Sequence, residues 1–414
     1  MNFLFFVGDL YPNLNATNKI AYQLGKYLSE SGHYVLMLGA NYNEEFENKI
    51  NENFTLISKT PQDLIALSVK KFNDYLKHHD GKRHNLVRKF TVLHPFSALC
   101  VNYSYSEKYQ GKSKLCKDMI EDMFAKEAFD YIVCFQEPSW AENVMMQCNI
   151  PDSKKVIYQT DPYGLHQLCS EEQRKKQQSI EIENFKKVTH IFTTVLLEEE
   201  YSKNPDYSKF SFKITGVEFP NIRKLNVSNT YPSVFSKEDI NIVFLGLLDD
   251  SYRSPEKFLS ALSSRFSNFP YIKLHFWGDI TSNSVFDYME KYPDNIFIHQ
   301  SVDSDTALSI QQHADFLLNI GNTVSNQVPS KIFDYFSIGK PIINIQKISN
   351  CPARRYIDRY PVAYTFEEFT PDIDKMMDFI FECQGKTVDF NEIRQIYNTA
   401  TVEYVCEHII KNLS

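Results

Sequence analysis

The chain is predicted to be an α/β protein made of two doubly wound, Rossmann-like domains. Three observations predict this. Short apolar runs alternate with helical patterns from the first residues onward. The alternation lapses over an aperiodic stretch at 216–239 and then starts again. The length, 414 residues, exceeds what one ordinary core organises.

The first series opens with "NFLFFVG" (2–8), a buried strand, and an amphipathic helix over 17–32 that Gly32 stops. "YVLMLGA" (34–40) completes a βαβ unit, which implies a parallel sheet covered on both faces. Residues 41–125 show no clear period and hold a basic tract at 70–90, with only Asp74 and Asp80 against its Lys, Arg and His. Strands follow at 131–135, 155–159 and 190–195, with a helix from about Ser139. The stretch 216–239 contains Pro220 and Pro232 and reads as a linker.

The second series has strands at 240–246, 272–278, 295–300, 315–321 and 341–345. A helix is expected over 254–266, with Pro255 suited to its first turn, and helices over most of 371–412. The expected organisation is therefore domain 1–217, linker 218–239, domain 240–385, and helices 386–414 that cross back to the first domain.

Hydrophobic residues make up 43% and charged residues 23%, as in ordinary globular proteins. The net charge of −8 argues against non-specific nucleic-acid binding. The eight cysteines form no C-x-x-C pair and have no His at zinc spacing, so reduced thiols in a cytoplasmic protein are expected. The N-terminus lacks a basic n-region and meets Asp9 early, unlike a signal peptide. No run approaches the roughly 18 apolar residues of a membrane span. The tract 70–90 is read either as a solvated helix face or as a dock for anionic lipid at the inner face of the membrane.

"PSKIFDYFSIGKPII" (329–343) is the most informative segment. Pro329 fixes the chain before a short helix, and Ser330 suits its cap or first turn. The first N–H groups and the helix dipole make such a start an anion site. Ser330 offers a hydroxyl and Lys331 charge. Asp334, one turn on, could accept both hydroxyls of a ribose. The plainer reading is that Ser330 caps the helix and Asp334 favours the dipole.

This segment resembles the nucleotide-sugar-binding motif of GT-B glycosyltransferases, particularly family 4 and its bacterial polysaccharide relatives. The resemblance implies two Rossmann-like domains facing a cleft, with the donor diphosphate at the helix start and the ribose on Asp334. The family's E-x7-E pair becomes Asn326-x7-Asp334 here. "FLGLLDDSYRSPEKFLSAL" (244–262) resembles the loop that offers a basic residue to the diphosphate, matched by Arg253, and "FWGD" (276–279) the strand end beside the base. The implied donor-binding residues are Gly246, Arg253, Gly278, Gln327, Ser330, Lys331 and Asp334.

On the acceptor side, "GDLYPNLNATNKI" resembles the family's first loop, with Asn15-Ala16 in place of Gly-Gly. "VIYQTDPYGLH" (156–166) resembles the strand that ends near a catalytic His; Thr160 or Asp161 takes that position here, with His166 close by. Asp161 and Asn326 are the catalytic candidates, and Asn15, Ala16, Glu137 and His166 the acceptor or cleft candidates. As turn, cap or surface residues these would do no chemistry.

The resemblance implies a retaining glycosyltransferase without an obligatory metal or other cofactor. It would move sugar from a nucleotide-diphosphate donor to a saccharide or lipid-linked acceptor in bacterial polysaccharide or glycoconjugate assembly. No D-x-D metal motif is placed at a strand end, and "DSD" (303–305) reads as a helix cap. Two alternatives stand: an inactive GT-B subunit, suggested by Asn326 and Asn15-Ala16, and a nucleotide-sugar epimerase.

Overall fold

Near-continuous apolar runs give strands that must be covered on both faces, and two parallel sheets result. The computed structural model describes residues 1–12, 14–61, 95–136, 139–228 and 230–414, and of 95–110 the backbone alone. Glu137 and the basic tract 70–90 lie outside the described residues. The chain divides into a unit of residues 1–220 plus 402–414 and a unit of residues 221–401.

The first unit runs β1 (Asn2–Asp9), α1 (Ala16–Glu30), β2 (Tyr34–Ala40), β3 (Phe46–Asn51), β4 (Phe54–Lys59), α2 (Pro95–Lys126), β5 (Tyr131–Phe135), α3 (Trp140–Gln147), β6 (Lys155–Gln159), α4 (Glu171–Lys186), β7 (His190–Thr193), α5 (Val195–Lys203) and β8 (Ile214–Gly216). Its sheet order is β3-β4-β2-β1-β5-β6-β7-β8, parallel except where β3 pairs antiparallel with β4. The β3–β4 hairpin falls in the region where the sequence shows no period. β3 is a polar edge strand with no fully buried residue, so it carries no apolar signal.

The second unit runs β9 (Ile240–Leu245), α6 (Asp250–Arg253), α7 (Glu256–Ser263), β10 (Ile272–Trp277), α8 (Asn283–Lys291), β11 (Ile296–His299), α9 (Ser304–His313), β12 (Phe316–Ile320), α10 (Lys331–Ile338), β13 (Ile342–Gln346), α11 (Arg354–Ile357), β14 (Ala363–Glu367), α12 (Ile373–Cys383) and α13 (Phe390–Ile396). Its six strands are parallel in the order β11-β10-β9-β12-β13-β14. The helix expected over 254–266 spans Glu256–Ser263, with Pro255 at its N-cap instead of inside its first turn, and the separate four-residue α6 precedes it. Asp303 caps α9 by accepting from the N–H groups of Asp305 and Thr306.

The stretch expected as a linker packs on the second unit from Asn221 onward: Ile222 bridges to Thr401, and the Phe235 ring lies 5.1 Å from His275 and 5.9 Å from Trp277. The last helix, α14 (Val402–Leu413), belongs to the first unit, where Tyr131 donates its hydroxyl to the Leu413 carbonyl at 2.6 Å. The seven cysteines with described side chains are all free thiols. Among the described residues no helix is long and apolar enough to cross a membrane.

Candidate functional site

In a doubly wound sheet, ligands bind beyond the carboxyl ends of the strands, where the strand order reverses. In the second unit that point lies between β9 and β12, which pair through Ile242–Phe316 and Val243–Leu317. The loops leaving these strands carry most of the expected donor-binding residues.

Two glycines let the strand ends close up. Gly246 has φ 142° and Gly278 φ 122°, conformations that L side chains avoid. A Cβ on Gly278 would lie 2.3 Å from the Gly246 carbonyl oxygen, and one on Gly246 would lie 1.7 Å from Lys331 Nζ. Lys331 therefore folds back across the end of β9 and donates to the Leu245 carbonyl at 2.7 Å. Burial, reinforced by the nearby charge of Arg253 and opposed by Asp334, pushes its ammonium down to about 8.

Arg253 closes the short helix α6. Its Nε donates to Asn322 Oδ1 at 2.6 Å, and its guanidinium lies 5.1 Å from the centre of the Tyr252 ring. Asn322 sits just beyond β12, is buried, and turns its Nδ2 to the Gln327 carbonyl at 3.4 Å. The Gln327 side chain accepts from the Tyr252 hydroxyl, and Asn326 beside it is 2% exposed. Arg253 and Lys331 thus form a paired-cation site anchored on neutral oxygens.

α10 departs from expectation at its start. Ser330 occupies the N-cap in helical conformation and makes no side-chain cap; the Pro329 and Ser330 carbonyls accept from the N–H groups of Ile332 and Phe333, each at 3.2 Å. At the other end Gly339, with φ 79°, caps the helix. Asp334 accepts from Arg223 Nη1 at 3.0 Å and from Asn221 Nδ2 at 3.4 Å, two partners that sequence reading did not assign. Beside Gly278, the Trp277 and His299 rings stack at 3.9 Å. His275 bridges His299 at 3.1 Å and Asn241 at 3.2 Å, and burial holds it down to about 3. Only the register of β10 on β11 brings these rings together.

In the first unit the corresponding reversal lies between β1 and β5. Asp9, at the end of β1, forms an ion pair with the buried Lys112 of α2, whose Nζ lies 4.1 Å from the Tyr42 ring centre. Asn15 caps α1, its side chain accepting from the Asn18 N–H at 2.8 Å, and Ala16 begins the helix. The Asp161 loop is tied from beneath. Gln159 Nε2 donates to the Asp161 carbonyl at 3.0 Å and to Glu181 at 2.9 Å, while Glu181 also accepts from the Gly164 N–H at 3.1 Å. His166 turns into its own loop, accepting from the Leu168 N–H at 3.3 Å.

Glu181 is fully buried, and the Tyr201 and Tyr207 hydroxyls donate to it. Glu142 accepts from Gln136 and Asn184, both at 2.8 Å, and burial next to Glu181 pushes its carboxyl up to about 7. No spacing in the sequence pointed to this carboxylate pair. Among the described residues, no group of three or more His, Cys, Asp or Glu side chains is arranged to hold a metal ion.

No protein-family model and no curated protein matches the chain. Solved structures do. Sucrose-phosphate synthase from Thermosynechococcus elongatus is 12% identical with a TM-score of 0.61, over 99% of this chain and 98% of that one. Trehalose-6-phosphate synthase, OtsA, is 11% identical at 0.61, over 100% and 99%. A TarM variant from S. aureus, in complex with fondaparinux, α-GlcNAc-glycerol and UDP, is 10% identical at 0.61, over the whole of both chains. Identity this low establishes the fold: the chain has the two Rossmann-like units of GT-B glycosyltransferases.

Proposed function

We propose that this protein is a glycosyltransferase that takes a sugar from a nucleotide-diphosphate donor bound by the second unit. The observation that carries this reading is the pairing of Arg253 and Lys331 at the strand-order reversal, through Asn322 and the β9 end. As the glycosyl bond breaks, negative charge develops on the departing diphosphate, and two prepositioned cations stabilise it. The ribose would meet Asp334, and the base the Trp277–His299 ledge beside Gly278.

The neighbours' names support the class, since two are synthases of sugar phosphates and the third was crystallised in complex with UDP. The acceptor, a saccharide or lipid-linked saccharide, would be held by the first unit's loops after β1, β5 and β6. There Asp161 is the candidate polar group for the acceptor hydroxyl. Retention of configuration, catalysis without a metal, and a place in bacterial polysaccharide or glycoconjugate assembly belong to the same proposal.

Incubation with UDP-, GDP- and ADP-sugars tests it. Release of nucleoside diphosphate that is lost in Arg253→Ala is the expected result. An isomerised nucleotide sugar would mark an epimerase instead. A second reading, a nucleotide-sugar-binding subunit without turnover, is favoured by Asn15, whose side chain caps α1 where the family has a glycine. Tight binding of nucleoside diphosphate with no hydrolysis or transfer from any donor would establish it.

A further inference from the structure

Arg253 ends a four-residue helix, too short to hold its own direction. Its placement must come from neighbours. At the N-terminal end, Asp249 accepts from the Ser251 N–H at 2.9 Å, and Asp250 accepts from the Ser284 N–H at 3.2 Å and from the Ser282 hydroxyl. At the C-terminal end Asn322 accepts from Arg253 Nε at 2.6 Å, and Lys347 Nζ donates to the Ser254 carbonyl at 2.5 Å.

Lys347 is the first residue beyond β13, and Glu368 the first beyond β14. Those strands pair in register through Gln346 and Glu367, so the next step along each brings the two side chains together. Their Nζ–Oε2 distance is 2.6 Å, with 13% and 5% of the side chains exposed. Such burial makes the pair costly: a buried ion pair is seldom more stable than an apolar pair of the same volume. Glu368 Oε1 is moreover buried without a hydrogen-bond partner. Net stability is a weak reason for this arrangement, and geometry is a better one.

We propose that the Lys347–Glu368 pair is a positioning device for Arg253. Glu368 fixes the ammonium of Lys347. Lys347 seats the Ser254 carbonyl, and with it the end of α6 that aims the guanidinium at the diphosphate. Lys347 acts through Arg253 and does not itself contact the ligand. This inference rests on the donor-site reading above.

The test is a double-mutant cycle on the full-length protein, with UDP, GDP and ADP each measured against its own nucleoside. Lys347→Met/Glu368→Leu removes both charges, so neither is left stranded. It should weaken binding of the preferred diphosphate by about tenfold or more, with the nucleoside affinity and the thermal midpoint unchanged. In an Arg253→Ala background it should add nothing. Lys347→Gln/Glu368→Gln, one bond shorter at 347, should show the same selective loss, which keeps the test available if the first variant does not fold.

Undiminished diphosphate affinity in these variants, where Arg253→Ala loses it, overturns the positioning role and leaves the donor site standing. Additive losses overturn it too, because Lys347 would then touch the phosphates itself. Equal affinity of wild type for diphosphate and nucleoside would instead refute the donor-site reading, and the positioning role with it.

Discussion

At the end of β1, the ammonium of Lys112 is paired with Asp9 and rests on the Tyr42 ring. At the end of β9, Arg253 and Lys331 are anchored by an amide oxygen and a backbone carbonyl. The two places are topologically equivalent, each where its sheet reverses strand order. They differ in how their cations are held. The first unit has this cation neutralised by Asp9, and its carboxylates Glu142 and Glu181 are buried under neutral donors. The second sets Arg253 close enough to Lys331 for its charge to disfavour the ammonium.

The neutralised cation of the first unit is the most costly to disturb. Asp9→Asn leaves Lys112 buried beside an uncharged amide, and removing one partner of such a pair costs about 3 kcal/mol. Urea unfolding should record that loss, while nucleoside diphosphate binding by the second unit stays unchanged. A loss below about 1 kcal/mol is the behaviour of a solvated pair, and Lys112 would then not be the neutralised cation described here.

Next in size is Arg253→Ala. Loss of a charge-assisted contact should weaken nucleoside diphosphate binding by about 1.5–3 kcal/mol and leave the nucleoside alone. Calorimetric titration of both ligands decides it. Equal losses would remove Arg253 from the phosphates and dissolve the contrast between the two crevices.

Lys331 adds a pH signature. In the free protein its ammonium is pushed down to about 8, by burial first and Arg253 second. A bound diphosphate favours the charged form and so raises that value. Affinity should therefore be full below pH 8 and fall as pH rises through it, by up to about tenfold per unit. Lys331→Met should be weaker throughout and lack this dependence. An affinity in wild type that is flat from pH 7 to 9 would place the anion away from Lys331.

Much of this was legible in the sequence because buried parallel strands are near-continuous apolar runs. β1, β2, β9 and β10 were readable for that reason, and the positions of Arg253 and Lys331 beside such strand ends came from motifs next to them. β3 and β14 were not, since these edge strands fully bury none and one of their residues, respectively, and so show no continuous apolar run. Ser330 has the residue type of a cap, yet its helical backbone leaves the hydroxyl out of that role. The pairs Lys347–Glu368 and Glu142–Glu181, and the Trp277–His299 stack, depend on the register of separate elements. No local pattern encodes that.

Substitution of Asp334 should change binding least. Its carboxylate is one-third exposed and already accepts from Arg223 and Asn221. A half-exposed pair of this kind is worth about 0–1 kcal/mol, so ribose hydroxyls can share or displace it. If Asp334 holds the ribose, Asp334→Asn weakens nucleoside diphosphate binding by about 1 kcal/mol, and inorganic pyrophosphate does not notice. Arg223→Ala then removes a competitor for the carboxylate and leaves affinity equal or higher. If Asp334 only anchors Arg223, both substitutions change affinity in the same direction and by the same amount. Ligands lacking the ribose hydroxyls separate the cases again, because with a ribose-holding Asp334 they bind wild type and Asp334→Asn alike. The ribose role stands only if the two substitutions diverge and the deoxy ligands do not.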